Sequence, residues 1–433
     1  MKALNFFTAS RPSGPLGTAS LTLAAILLTG SLVWSQPPAG GGSGRGGRGG
    51  SGRGGGGGGL QADAEHPVMK IGTHIPDFTL PGADGKMHSL KEWAGAKLLI
   101  VAFECNHCPE SQNYEGRIKK LYEDYKPKGV QLIAINPNNP ASVRLDELGY
   151  TDIEDSLPEM KIRLADRHIS WPYLYDGETQ STATKFGVIA TPHIFIFDKD
   201  RNLQFNGQID DNQNEAIAKT HETRDALDAL LAGKPVPAAT TRVHGCSTKW
   251  LSKAVGSQSR EAEMQKIMKE PIKLDTADAD AIKKLTAPGQ AKVQVVTFYS
   301  TKCTTCADSF HDLETTYRMF RQRAFVLETV ATDPDSDKDA VNAFLQKQYA
   351  SSPNLQSTAT LAATQAAAGE KWKANSMFTE VIDTDGKVVF KKEGKLALND
   401  LLLLRRHVLA AMPDTRAYPG NHAYWAEEFK AAK

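Results

Sequence analysis

The chain has 433 residues, enough for two or three domains at ~100–200 residues each. Hydrophobic residues make up 40% and charged residues 23%, a balance that suits ordinary globular cores. The 51 cations against 50 acids exclude a strongly basic nucleic-acid binder, and five cysteines are too few for a disulfide scaffold. Residues 1–60 hold five of the cations (Lys2, Arg11, Arg45, Arg48, Arg53) and no acid, so 46 cations face 50 acids in the rest of the chain.

Lys2 and Arg11 precede a mostly apolar stretch from Leu21 to Trp34. It falls short of the ~20 residues that span a bilayer comfortably. A charged start, a short apolar run and the small Ser35 read as a secretory signal over residues 1–35, with an uncleaved anchor as the alternative. Export places the cysteines in an oxidising compartment, periplasmic or secreted, where disulfides persist. Residues 36–65 follow as a linker. Within it, Gly40 to Gly59 holds 15 of the 36 glycines with three arginines and two serines, too little apolar surface to offset the entropy of ordering it.

The remainder reads as two α/β units in tandem, residues 66–234 and 266–413, joined by a connection over 235–265 and followed by a tail over 414–433. In the first unit the turn Gly82-Ala83-Asp84-Gly85 marks a hairpin. Lys97 to Phe103 is a strand apolar on both faces. Cys105-Asn106-His107-Cys108-Pro109 opens a helix to Tyr125, with Pro109 where a missing N–H costs nothing. Val130 to Ile135 is a strand; Leu157 to His168 and Gln180 to Phe186 are helical. His193 to Phe197 and Leu203 to Asn206 form a hairpin, and Asn214 to Leu231 is a closing helix.

The second unit repeats that order. Val293 to Tyr299 is a strand, Cys303-Thr304-Thr305-Cys306 a turn, and Ala307 to Arg323 a helix. Phe325 to Val330 is the next strand, and Asp339 to Tyr349 a helix. Thr379 to Ile382 and Lys387 to Phe390 form a hairpin, and Leu396 to Ala411 closes the unit. Strand, C-x-x-C and helix thus occur twice, which indicates two copies of one architecture.

The chemistry lies in these two turns. A C-x-x-C between a buried strand and a helix sets its first sulfur near the unpaired N–H groups of the helix start, which favours the thiolate. The second cysteine is then close enough to resolve a mixed disulfide. A structural disulfide and half a zinc site remain alternatives, although neither unit offers a second paired motif to complete the metal.

Cys105 and Cys108 after a buried strand, with Thr191-Pro192 opening a later one, resemble the thioredoxin fold. Pro76-Asp77-Phe78-Thr79-Leu80, Ala134-Ile135-Asn136-Pro137 and Tyr173-Leu174-Tyr175-Asp176 are similar to its redoxin branch, also described as alkyl hydroperoxide reductase/thiol-specific antioxidant-like. The second unit, from about Leu274 to Met412, resembles thiol-disulfide reductases of the cytochrome c maturation type. The resemblance implies a central mixed sheet with helices on both faces in each unit. It further implies Cys105 as the attacking thiol and Cys108 as the resolving one, with Pro192 as a cis proline beside them. His107 matches the place where strongly oxidising relatives carry histidine; the alternative is a solvent-facing side chain.

Departures from the family patterns are equally specific. Leu99 stands where thioredoxin has a buried acid six residues before its first cysteine. Peroxiredoxins carry threonine three residues before the peroxidatic cysteine, and Cys105 occupies that place relative to Cys108. In the second unit Met377 stands where the proline is expected, so Cys303 and Cys306 form a possible second redox pair lacking part of its groove.

The expectation is therefore an exported thiol-disulfide oxidoreductase that exchanges disulfides with protein thiols and a redox partner protein, requires no bound cofactor, contacts no nucleic acid and keeps no membrane span after signal cleavage. Thiol-dependent peroxide reduction is one alternative. The other is copper(I) delivery, because Cys105, Cys108 and His193 offer soft ligands; against it, His193 is equally a strand histidine pointing into the opposite layer. In the resting protein Cys105–Cys108 and Cys303–Cys306 disulfides are expected. Cys246 is then a leftover thiol or an intermolecular bridge or, if it bonds to the first pair, a resolving residue.

Overall fold

The computed structural model describes residues 65–256, 259–287, 291–413 and 420–431. The signal and the Gly/Arg-rich stretch lie outside the described residues. In the first unit a small hairpin, β1 (Thr79–Pro81) and β2 (Met87–Ser89), precedes β3 (Leu98–Phe103) and α1 (Pro109–Tyr125). Then come β4 (Val130–Asn136), α2 (Leu157–Asp166), β5 (Tyr173–Tyr175), α3 (Ser181–Phe186), β6 (Ala190–Thr191), β7 (His193–Phe197), β8 (Leu203–Gly207), α4 (Glu222–Leu231) and β9 (Cys246–Ser247). The sheet runs β5-β4-β3-β7-β8, parallel from β5 to β3 and antiparallel beyond.

β3 explains the layering. Every one of its residues is buried. Leu98, Ile100 and Ala102 pack with Tyr114, Ile118 and Leu121 of α1, while Leu99, Val101 and Phe103 pack with Phe186, Phe195 and Trp250 on the other face. A strand with apolar residues at every position can satisfy them only as the covered centre of a sheet.

The second unit is built from α5 (Arg260–Ile267), β10 (Asp275–Ala277), α6 (Ala279–Leu285), β11 (Val293–Tyr299), α7 (Cys306–Phe320), β12 (Phe325–Ala331), α8 (Lys338–Gln348) and β13 (Asn354–Ser357). It continues through α9 (Leu361–Ala368), β14 (Phe378–Ile382), β15 (Val388–Glu393), α10 (Leu398–Ala411) and α11 (Gly420–Ala431). Its sheet, β10-β13-β12-β11-β14-β15, repeats the first order with one added edge strand. The register confirms the correspondence: Phe103 pairs with His193 and Phe298 with Phe378, so Pro192 and Met377 precede equivalent positions.

The two units share a core. Val143, Leu145 and Leu148 of the first pack in the cluster formed by Val293, Tyr299, Phe320 and Trp425 of the second. The connection and the tail supply β9, α5 and α11, elements that composition alone did not reveal.

The closing helix of the first unit differs from expectation. It starts at Glu222 rather than Asn214, because polar side chains capture the preceding backbone. Asn214 caps a single 3-10 turn by accepting from the Ala216 N–H, and Asp211 accepts from the N–H groups of Lys219 and Thr220. Such local bonds compete with helix propagation.

At the end of α3, Gly187 has φ +65°, and a Cβ there would lie 2.1 Å from the Pro67 carbonyl oxygen. Gly187→Ala combines a left-handed backbone with a clash against main chain. It should cost about 1–3 kcal/mol and lower the thermal midpoint, as calorimetry would show.

Candidate redox site

The sequence-expected residues converge at the C-terminal end of β3. Cys108 is the N-cap of α1 and is fully buried. The expectation had placed Cys105 at the helix start; the structure gives that position to Cys108, and Cys105 lies one residue-triplet earlier in the loop. The Cys105 sulfur is 3.1 Å from Thr191 Oγ1 and 3.7 Å from His107 Nδ1, and the residue is 4% exposed. Pro192 follows Thr191 through a cis peptide bond.

The disulfides correct the expected pairing. Cys108 is joined to Cys246, 138 residues away, with Cα atoms 5.9 Å apart, and Cys105 is a free thiol. The cause is a two-residue ladder: β9 pairs antiparallel with β6, matching Thr191 with Cys246 and so presenting Cys246 to Cys108. Gly245 permits the approach, since a Cβ on it would meet the Thr191 carbonyl oxygen at 2.2 Å. Beyond β9 the strand is held firmly. The Thr248 N–H donates to the Ile189 carbonyl, and the Lys249 N–H donates to Asn138 Oδ1.

Sequence reasoning missed Asp155. Its carboxylate has no solvent exposure, and it accepts from the main-chain N–H groups of Asn106 (2.8 Å) and His107 (3.0 Å), from Asn138 Nδ2 (2.8 Å), and from His107 Nδ1 (2.6 Å). His107 is itself buried rather than solvent-facing. Burial acts to lower its pKa, but attraction to Asp155, then to the Cys105 sulfur, and the hydrogen bond to Asp155 outweigh that and hold it well above the usual imidazole value. Burial likewise acts to raise Asp155, and the facing imidazolium with its hydrogen bonds brings the net shift below the usual carboxylate value.

Cys105, His107 and Asp155 bring ligand atoms within 4.8 Å of one another. Those atoms are already engaged: His107 Nδ1 faces both the sulfur and the carboxylate, and each Asp155 oxygen accepts two N–H groups. His193, expected as a soft ligand, packs its ring 4.3 Å from Phe195, and its Nδ1 accepts from the Ile189 N–H. Burial alone lowers its pKa to about 3. Its ring lies outside the group of converging ligand atoms. Glu104, next to Cys105, is a buried acid whose pKa burial raises to about 8, with Glu115 adding to the shift; it accepts from Trp171 Nε1.

In the second unit Cys303 and Cys306 are joined to each other. Asp333 accepts from the Thr301 N–H and from the Ser300 and Thr301 hydroxyls, holding the loop ahead of Cys303 rather than the residues between the cysteines. Thr304 and Thr305 replace the Asn-His of the first turn, and Met377 is fully buried in the core.

The family model for the AhpC/TSA family matches residues 71–206. Residues 71–206 belong to the AhpC/TSA family. The thiol-disulfide oxidoreductase ResA of Halalkalibacterium halodurans is 31% identical over 18% of this chain and 43% of that protein. The ResA of Bacillus thuringiensis subsp. konkukian is 28% identical over 30% of this chain and 66% of its own length. This chain therefore spans less than two thirds of either curated relative. A solved structure of an uncharacterized conserved protein from Geobacillus kaustophilus is 35% identical, covers 42% of this chain and 92% of that one, and has a TM-score of 0.38. The mixed sheet β5-β4-β3-β7-β8 with its flanking helices, together with the family match over residues 71–206, gives this unit a thioredoxin-like α/β redoxin fold. Among the described residues no helix is long and apolar enough to cross a membrane.

The ion pair fixes a pH signature. The raised His107 pKa adds stability that is complete below its unfolded value of about 6.5 and is lost as pH rises through the higher folded value. The lowered Asp155 pKa adds stability present above about 3.9 and lost as pH falls through the folded value. Asp155→Asn should therefore cost most between about pH 4 and 6.5, by about 3 kcal/mol or more, and less at alkaline pH. Urea unfolding across that range would measure it.

Proposed function

We propose that the chain is an extracytoplasmic thiol-disulfide oxidoreductase that exchanges disulfides with protein partners through Cys108, with Cys246 and Cys105 as its two alternative bonding partners. The observation that carries this reading is the position of Cys108: it caps α1, is bonded to Cys246, and has the free Cys105 thiol in the same loop. The apolar run behind Lys2 and Arg11 supports export.

Cys246 is half-buried, whereas Cys105 and Cys108 are buried. A partner thiolate attacks the Cys246 sulfur, and the bond to Cys108 breaks. Cys108 leaves as a thiolate at the positive end of α1, where a stabilised leaving group departs faster. A second partner thiol then displaces Cys246, so the partner becomes a disulfide and the chain a dithiol. The reverse sequence reduces a partner disulfide. Attack of Cys105 on Cys108 converts one internal disulfide into the other and passes the proton to Cys246, with no net oxidation. His107 Nδ1 lies 3.7 Å from the Cys105 sulfur.

One observation favours a second reading, thiol-dependent peroxide reduction: a fully buried cysteine at a helix start is bonded to a cysteine far along the chain. There Cys108 would take one peroxide oxygen as a sulfenic acid, releasing the alcohol or water, and Cys246 would condense with it to expel water.

With insulin and dithiothreitol as probes of the full chain, Cys108→Ser should lower reductase turnover by roughly a hundredfold or more, as expected when the reacting atom itself is removed. Cys303→Ser should leave turnover within about twofold, the ordinary effect of a change outside the reacting group. A larger loss in Cys303→Ser would move the principal site to the second unit. Peroxide consumption that depends on Cys108, with insulin untouched, would select the second reading.

A further inference from the structure

We infer that Asn421, in the C-terminal helix of the second unit, is a positioning residue for the cysteine loop of the first, acting through Gln112. The inference rests on the proposed exchange at Cys108 and gives the second unit a part in it.

Gln112 lies in the first turn of α1, buried, and its side chain is shared between two partners. Nε2 donates to the carbonyl oxygens of Asn106 (2.9 Å) and His107 (3.3 Å), the two residues between Cys105 and Cys108. Oε1 accepts from the Asn421 N–H at 3.4 Å. The loop is therefore held from one side by Asp155 and from the other by an amide whose orientation α11 fixes. Exchanging its N and O ends would set an NH2 group against the Asn421 N–H, so the helix selects the rotamer that donates to the loop.

Asn421 is placed with unusual firmness. It is 1% exposed, and its Oδ1 accepts from Arg163 Nη1 at 2.7 Å and also from Arg167. The α10–α11 pair also reaches the turn that carries Asp155: Arg406 Nε donates to Asp152 Oδ2 (2.8 Å), and Trp425 Nε1 donates to Asp152 Oδ1 (3.4 Å). Both braces of the loop, Gln112 and the turn of Asp155, thus abut the second unit. This accounts for a helix whose sequence reads as a tail but whose first residues are buried against α1.

The physical consequence concerns which sulfur pair forms. Freed from Gln112, the Asn106 and His107 peptides gain freedom, Cys105 becomes easier to reach, and the geometry favouring Cys108–Cys246 over Cys105–Cys108 relaxes. The test uses the full chain with Asn421→Ala, Asn421→Asp and Gln112→Met. The linkages are mapped by non-reducing mass spectrometry after equilibration in glutathione buffer, and the alkylation rate of Cys105 by iodoacetamide is followed.

Asn421→Ala keeps the main-chain N–H but removes the side-chain bonds that place it against Gln112, and should change the linkage ratio and the alkylation rate by roughly fivefold, about what loss of the hydrogen bond to Gln112 would cost. Asn421→Asp keeps the acceptor for both arginines but loses the Nδ2 donation to the Tyr150 carbonyl and Asp152 Oδ1, so it should restore both readouts only in part. Gln112→Met should reproduce the effect, and the double variant should add little to it. The inference is overturned if Asn421→Ala lowers the melting temperature yet leaves both readouts within about twofold of the parent, the noise expected of an uncoupled site. If Asn421→Ala fails to fold, the comparison of Gln112→Met with the parent decides. Absence of any thiol exchange in the parent would instead remove the proposed function itself, a result these ratios distinguish.

Discussion

A carboxylate with no access to water must have its charge answered entirely by protein, and Asp155 is answered by three amide N–H groups and the imidazolium of His107. The demand organises both sides of the Cys108–Cys246 disulfide. Two of the N–H groups are main chain of Asn106 and His107, so the loop leading to Cys108 cannot move without unsatisfying a buried charge, a penalty of several kcal/mol. A third comes from Asn138, whose Oδ1 in turn accepts from Lys249, three residues beyond Cys246. One side chain thereby sets the helix start carrying Cys108 and, through Asn138, the strand carrying Cys246.

The same arrangement closes an edge. β6, beside the cis Thr191–Pro192 bond, is paired with the chain's own β9 rather than left open. Any partner must deal with a strand already seated there and with a half-buried Cys246 in front of two buried cysteines. In the second unit Asp333 holds the loop ahead of Cys303 instead, the histidine and the proline are absent, and Met377 is packed in the core. The two copies of one architecture thus differ at the equivalent turns and are joined by the core around Leu145, Leu148 and Trp425.

Much of this was legible in the residues. A continuous apolar run marked β3, a mostly apolar one marked β11, and Pro109 marked the start of α1, because burial on both faces and a proline at a helix start leave little conformational choice. His107 was recognisable from its place between the cysteines, and Pro192 only through the resemblance to the thioredoxin fold. The Cys108–Cys246 bond was not, since it depends on a two-residue ladder between segments far apart in sequence, for which no periodicity exists. Asp155 sits in an irregular loop and gave no signal beyond being an acid shortly before a helix. For α11 a signal was present: Tyr424, Trp425 and Phe429 lie at helical spacing, yet the charged neighbours masked it. The helix expected from Asn214 failed because Asn and Asp side chains outcompeted the helical backbone for its N–H groups.

The central claim is that Cys108 is the shared sulfur of the first unit, bonded alternately to Cys246 and Cys105. It is tested most directly by titrating the purified full chain through a glutathione series, trapping thiols with acid and N-ethylmaleimide, and mapping every internal disulfide at each potential. The account predicts Cys108–Cys246 and Cys105–Cys108 as the linkages of that unit, with Cys108 in each. A Cys105–Cys246 linkage, or Cys108 recovered as a thiol while the other two are joined, would contradict it.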